Sequence, residues 1–333
     1  MKMPDQAILV TGAAGFIGFH VTQRLLQSGH RVVGIDNLNG YYDPRLKAAR
    51  LDILRNDPRF QFEKLDVADR VAMPALFAQY RFPVVIHLAA QAGVRYSLQD
   101  PHAYVDANLV GFTNVLEGCR HNGCRHLLFA SSSSVYGATA ELPKQEDMSA
   151  LPVSPYAVAK LACEGYCRSF GEVYGLETVA LRYFNVFGPR QDPRSQYAAV
   201  VPNFITALLT SQRPTIFGDG EQSRDFTYVE NVIEANLLAM AADVAPGGVY
   251  NVACGEAVTL NQLVAELREL IDSDIEPVYA APRAGDVRHS LADLTRSRRD
   301  LDYEPSVSLR EGLRRSIEHL RDRLRSGELT PAP

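Results

Sequence analysis

A tyrosine and a lysine four residues apart, Tyr156 and Lys160, stand in a stretch from Pro155 to Tyr174 that reads as one long helix. At that spacing both side chains leave the same helix face, and an ammonium beside a phenol favours its ionised form. Tyr156 is therefore a candidate proton acceptor. Upstream lies a run of serines, Ser131 to Ser134, followed by Val135-Tyr136-Gly137. The run closes an apolar segment, Leu127 to Ala130, that reads as a buried strand, so its hydroxyls fall where a parallel sheet presents its carboxyl ends and binds substrates. A lone Tyr–Lys pair more often marks the half-exposed face of an ordinary helix. Its weight here comes from a nucleotide fingerprint earlier in the chain.

That fingerprint opens the sequence. The apolar run Ala7-Ile8-Leu9-Val10 leads into Thr11-Gly12-Ala13-Ala14-Gly15-Phe16-Ile17-Gly18 and a helical stretch to about Ser28. Gly12 permits a tight strand-to-helix turn, Gly15 lets backbone approach a pyrophosphate, and Gly18 lets the helix pack closely on the strand. Phe16 and Ile17 begin the helix whose N-terminus faces the phosphates. A second strand, Arg31 to Ile35, ends in Asp36, where a carboxylate can take the adenosine ribose hydroxyls. Asp36 would repel a 2′-phosphate and its neighbour is Asn37 rather than arginine, so NAD is expected over NADP.

The elements that must position these groups follow in alternation. Helical stretches near Arg45 to Arg55, Met73 to Tyr80 and Pro101 to His121 are interleaved with strands ending at Leu65-Asp66-Val67, covering Pro83 to Leu88, and covering Thr178 to Tyr183. This is the pattern of an α/β fold with a doubly wound parallel sheet, a Rossmann arrangement. Leu88, Ala89 and Ala90 put small residues where backbone can approach a cofactor, and His87 reads as a local packing residue. Past Asn185 turn residues multiply: Gly188 to Pro193 is loop, Val200 to Leu209 a helix, Gly218-Asp219-Gly220 a turn. A smaller α/β substrate domain over the sheet's carboxyl edge is expected. The expected division gives 1–184, with 226–255 returning to it, to the dinucleotide, and 185–225 with 256–330 to the substrate. Arg310 to Arg325 reads as a solvated amphipathic helix.

Composition limits the alternatives. The 333 residues, 46% hydrophobic, can bury a large core, and a net charge of -5 without a basic run argues against nucleic-acid or membrane partners. The five cysteines (Cys119, Cys124, Cys163, Cys167, Cys254) form no metal-ligand spacing and read as reduced packing thiols, so no metal is expected. The start of the chain lacks the apolar stretch of a signal peptide, and a cytoplasmic protein is expected.

With these residues in place, the chain resembles the extended short-chain dehydrogenase/reductases, specifically the nucleotide-sugar 4-epimerases. The likeness spans nearly the whole chain: the Gly12/Gly15/Gly18 turn, Asp66-Val67, Asn108, Ser132, Tyr156/Lys160, Leu181-Arg182-Tyr183-Phe184-Asn185, Arg224-Asp225 and Arg283-Ala284-Gly285-Asp286. The resemblance implies that Tyr156 takes the proton of the sugar 4-hydroxyl while the C4 hydride passes to NAD. Lys160 then holds the cofactor ribose, and Ser132 bonds the C4 oxygen. The resulting 4-keto sugar turns over and is reduced on its other face. By the same resemblance Asp66, Val67, Asn108 and Tyr183 join the cofactor set. Ser133, Asn185, Val200, Phe217, Arg224, Arg283, Asp286 and Ser290 face the UDP-sugar, the arginines at the diphosphate. A homodimer through the helices at Pro101 to His121 and Pro155 to Tyr174 is implied. Dehydratases and decarboxylases of the family carry an acid immediately after the hydroxyl residue; here Ser133-Ser134 follow. Oxidation and re-reduction at C4 alone are expected.

Two sets of residues point to different sugars. Asn39 to Pro44 and Gln91 to Ser97 are similar to UDP-glucuronate 4-epimerases, whereas Asn185 to Pro193 and Arg288 to Asp293 are similar to UDP-N-acetylglucosamine 4-epimerases. Ser290 occupies the family's gate position, where a small residue leaves room for a 2-acetamido group. UDP-GlcNAc and UDP-GalNAc are the expected pair, with UDP-Glc and UDP-Gal tolerated. If Arg95 reaches C6 it would bind a carboxylate, and a uronic acid would follow. A non-catalytic NAD-binding regulator and a net dehydrogenase are the other classes; the first would normally have lost Tyr156 or Lys160.

Overall fold

The structure, a computed structural model, describes residues 6–137, 139–193, 199–282 and 287–329. Its first half alternates strand and helix: β1 (Ile8–Thr11), α1 (Phe16–Gln27), β2 (Val32–Asp36), α2 (Pro44–Leu54), β3 (Phe60–Lys64), α3 (Ala72–Tyr80) and β4 (Val84–His87). Then come α4 (Val94–Gln99), α5 (Pro101–Tyr104), α6 (Gly111–His121), β5 (His126–Ser132), α7 (Pro155–Tyr174) and β6 (Glu177–Tyr183). The second half runs β7 (Val186–Phe187), α8 (Val200–Leu209), β8 (Thr215–Phe217), β9 (Ser223–Arg224), β10 (Thr227–Tyr228), α9 (Val229–Ala241) and β11 (Gly248–Val252). It ends with β12 (Val258–Thr259), α10 (Leu260–Ile271), β13 (Val278–Ala280), α11 (Thr295–Leu301) and α12 (Leu309–Arg325).

Seven parallel strands form the central sheet in the order β11-β6-β5-β4-β1-β2-β3. The order reverses between β1 and β4, which opens a crevice at their carboxyl ends. Both faces of the sheet are covered. Along β1, Ile8 and Val10 enter one apolar layer with α1 and α9, while Leu9 enters the other with α3, α6 and α7. That two-sided burial is why the strands read as continuous apolar runs rather than alternating ones. The remaining short strands pair as β7 with β10, β8 with β13 and β9 with β12, each two or three residues long.

Two expected elements differ. The third strand stops at Lys64, so Leu65-Asp66-Val67 is the loop beyond it. The helix expected from Pro101 to His121 is interrupted by a π-helical turn at Val105–Val110. That turn carries Asn108, whose side chain accepts from the Gln91 N–H at 2.8 Å and donates to the Gln91 carbonyl at 3.0 Å. A widened helical turn is a common device for aiming a side chain at a loop, and here it satisfies both backbone groups of one residue.

Candidate active site

Helix α7 owes its start to local chemistry. Ser154 caps it by accepting from Ala157 N, and Pro155 occupies the first turn, where its missing N–H costs nothing. Tyr156 is thereby fixed in the first turn, beside the end of β5. Lys160, one turn on and buried, donates from Nζ to the Ala130 carbonyl at 2.6 Å, with its ammonium 4.7 Å over the Phe129 ring and 6.0 Å from the centre of the Tyr156 ring. Burial pulls the Lys160 ammonium down to about 8, against the opposing pull of Cys163 and Glu164. Burial pushes the Tyr156 phenol up, and the neighbouring Ser132 hydroxyl draws it back only in part. The protein alone therefore does not favour the ionised phenol, as the Tyr–Lys spacing suggested it would; desolvation sets the direction of the shift, and the Lys160 ammonium, bonded to the Ala130 carbonyl, is not among its causes.

Behind this pair lies a network that sequence reasoning missed. Arg182 on β6 forks onto Glu164 of α7, Nε to Oε1 at 3.0 Å and Nη2 to Oε2 at 2.8 Å, both side chains being buried. Ser131 donates to the same carboxylate at 2.5 Å, and the guanidinium stacks 4.7 Å over Tyr136. Tyr136 in turn donates to Asn251 of β11 at 2.7 Å. Three strands and α7 are thus tied together immediately beside Ser132. The spacing of Glu164 four residues after Lys160 was the available signal, but its partner lies 18 residues further along the chain.

The dinucleotide cleft opens at the β1/β4 crevice, a cavity of about 140 Å³. Gly12, Gly15, Asp36, Asn37, Asp66 and Val67 line it, with Leu88, Ala89 and Ala90 opposite. A side chain at Gly12, where φ is +69°, would meet Ala89 N at 2.8 Å, and one at Gly18 would meet the Gly12 carbonyl at 2.0 Å. Backbone surfaces bare of side chains beside a helix N-terminus, with a carboxylate at the far end, fit an adenine dinucleotide. Phe16 and Ile17 sit in the first turn of α1. His87 is buried with Nδ1 2.8 Å from Thr11 Oγ1, which also accepts from Leu88 N and Ala89 N. With both lone pairs used, the threonine hydroxyl donates to an unprotonated His87 nitrogen, in keeping with burial lowering that imidazole to about 3.

Asp36 does not stand alone in the cleft. Lys47 of α2, also buried, reaches Asp36 Oδ1 at 3.0 Å and Asn39 Oδ1 at 3.2 Å, and Leu38 N donates to the same carboxylate. Lys47, Tyr41 and Tyr42 complete the cleft wall and were not anticipated. Tyr183 and Asn108 lie off this cavity: the Tyr183 hydroxyl pairs with Asn236 and is buried, and Asn108 acts through Gln91.

A second cavity, about 170 Å³, brings together Ser133, Asn185, Arg224 and Ser290 from the expected substrate set. Phe184 and His289, from the stretches that carry the family resemblance, also line it, together with Lys144 and Ser154, which were not anticipated. Ser290 N donates to Ser223 O at 3.1 Å, and the Arg224 guanidinium donates to the Ser223 and Arg288 carbonyls. Val94 faces this cavity, and the neighbouring Arg95 does not line it. Val200 begins α8 and Phe217 ends β8, both outside the lining. Arg283 and Asp286 fall outside the described residues. Among the described residues no group of three or more His, Cys, Asp or Glu is placed to hold a metal. No described helix is long and apolar enough to cross a membrane.

The model of the NAD-dependent epimerase/dehydratase family matches residues 8–253. The chain belongs to this family. Its cofactor is NAD. Among solved structures, the family member is similar to a UDP-glucose 4-epimerase from Thermotoga maritima, with UDP-glucose, at 39% identity and TM-score 0.89 over 96% of this chain and 100% of the other. It is equally similar to a UDP-N-acetylglucosamine 4-epimerase from Methanobrevibacter ruminantium in complex with UDP-N-acetylmuramic acid, at 39% identity, TM-score 0.89 and the same coverage. A UDP-glucuronic acid 4-epimerase from Bacillus cereus, with UDP-glucuronic acid and NAD, matches at 34% identity and TM-score 0.88 over 95% of this chain and 99% of the other. All three neighbours are UDP-sugar 4-epimerases, the class expected from the sequence. Their sugars differ from one another.

Proposed function

We propose that this epimerase/dehydratase family member is a cytoplasmic UDP-sugar 4-epimerase that interconverts UDP-GlcNAc and UDP-GalNAc and tolerates UDP-Glc and UDP-Gal. The observation that carries the choice of sugar is Ser290 on the wall of the second cavity, pinned by its own N–H to Ser223 O. A small side chain on a fixed backbone leaves volume for a 2-acetamido group, where a tyrosine would fill it. In this reading Tyr156 accepts the 4-hydroxyl proton, Ser132 holds the C4 oxygen and Lys160 fixes the ribose. NAD, when bound, supplies the reversible hydride acceptor. Burial raises the Tyr156 phenol, and the positive nicotinamide ring of bound NAD would act in the opposite direction.

Residues 1–184 and 226–255 hold the cofactor in this proposal, and 185–225 with 256–330 the UDP-sugar. Arg224 and Arg283 meet the diphosphate, with Asp286 beside them. The exposed apolar residues Leu98, Val105, Val158, Tyr166 and Val173, on α4 to α7, support a homodimer through these helices.

Proton NMR of UDP-GlcNAc, UDP-Glc and UDP-GlcA incubated separately with purified protein tests the reading. Conversion of UDP-GlcNAc faster than of UDP-Glc is expected, and Ser290→Tyr should lower the N-acetyl to hexose ratio at least tenfold. An unchanged ratio in that variant would remove the basis for the sugar assignment.

A further inference from the structure

The sequence offered Arg95 as the cation for a sugar carboxylate, but the cavity wall at that point is Val94. Besides Arg224, the cationic side chain that does line the cavity is Lys144. It is 3% exposed, and its ammonium donates to the Thr139 carbonyl in the loop leaving the serine turn. Exposed Glu141 acts on it through space without forming an ion pair. No acidic side chain is among the described residues lining the cavity. An ammonium with one carbonyl partner has two donors to spare for an anionic group entering the cavity.

The backbone around Lys144 is fixed. Its N–H donates to Leu291 O at 2.7 Å, and its carbonyl accepts from Asn251 Nδ2 at 2.8 Å and Asp293 N at 2.9 Å. The strip from Arg288 to Asp293 therefore has Arg224 bonded at its first residue, Ser290 in the middle and Lys144 bonded at its far end. Arg224 and Lys144 thus line one cavity and hold the strip that carries the gate residue at two different points, an arrangement for a ligand with two distinct anionic groups. A diphosphate accounts for the one at Arg224.

We propose that Lys144 is a carboxylate subsite, and that the preferred substrate class is a UDP-2-acetamido sugar oxidised to the acid at C6. This rests on the 4-epimerase reading above and keeps Ser290 as the space for the acetamido group. Lysine at this position also bears on reaction order: an oxidation of the C6 alcohol would precede this epimerisation.

The test compares kcat/KM for UDP-GlcNAc and for its C6 acid in wild type, Lys144→Met and Lys144→Arg. Wild type should favour the acid at least tenfold. Lys144→Met should lower the acid-to-neutral ratio by about 10- to 100-fold, the usual worth of a hydrogen bond to a charged group, and Lys144→Arg should restore part of it. Equal losses on both substrates, or a wild type indifferent to the carboxylate, would overturn the subsite and leave the epimerase reading intact. Inactivity of wild type on neutral and acidic sugars alike would overturn both. If the variants fail to fold, inhibition of wild type by UDP-galacturonate and UDP-galactose decides: tighter, salt-sensitive inhibition by the acid supports the subsite, and equal inhibition refutes it.

Discussion

Around the dinucleotide cleft, most of the wall comes from residues within a few positions of four strand ends, β1 to β4, and the fit depends on backbone approach at Gly12 and Gly18. The sugar cavity is assembled instead from separated stretches: Val94, the serine turn, Lys144, Ser154, Asn185, Arg224 and the strip at His289 and Ser290. Those stretches are held by side chains. Asn251 alone accepts from Tyr136 and donates to the Lys144 and Asp293 carbonyls. One region is a property of a sheet edge, which any parallel sheet of this order presents. The other depends on a few buried polar groups being satisfied, so it can change ligand without changing the fold.

Substitutions can separate the two. Tyr156→Phe should leave both cavities formed and NAD bound while lowering kcat by about 10²- to 10⁴-fold, read in a single-turnover assay. A loss below tenfold would mean that another group accepts the proton. Glu164→Gln should cost about 3–5 kcal/mol in urea unfolding, because it strands the buried Arg182 guanidinium and weakens the bond to Ser131. Stability within 1 kcal/mol of wild type would show that the network is not what joins the regions.

Asn251→Ala should cost about 2–4 kcal/mol and raise KM for the UDP-sugar more than it weakens NAD binding, since its lost bonds all lie on the sugar side. Equal effects on both ligands would mean that the two regions are not separable. The effect confined to acidic pH concerns the cleft: burial holds His87 near 3 in the fold against 6.5 in the unfolded chain. Between those values the unfolded chain binds the additional proton, so this residue's contribution to stability falls as pH drops from 6.5 toward 3, by about 1.4 kcal/mol per pH unit. Unfolding curves for His87→Gln should show a pH slope shallower by one proton.

Much of the cleft was legible in the chain because its signals are local. Gly12, Gly15 and Gly18 act within one turn, and Asp36 closes the next strand. Lys47 was not legible, although it lies 11 residues from Asp36, because nothing in α2 marks which of its basic residues turns inward. The π-turn at Asn108 escaped notice for a related reason: the helical pattern continues through it, and only its pairing with Gln91 reveals the extra residue.

Amino-acid order determined the alternation of strands and helices, the glycine turn, the Tyr156–Lys160 face and the serine-bearing strand end, each set by sterics or periodicity within a few residues. Only the tertiary structure decided that Arg182 belongs to Glu164, that burial sets the direction in which the acidity of Tyr156 moves, and that Lys144 rather than Arg95 lines the sugar cavity. Those outcomes depend on desolvation and on partners distant in the chain, and both exist only once the chain has closed on itself.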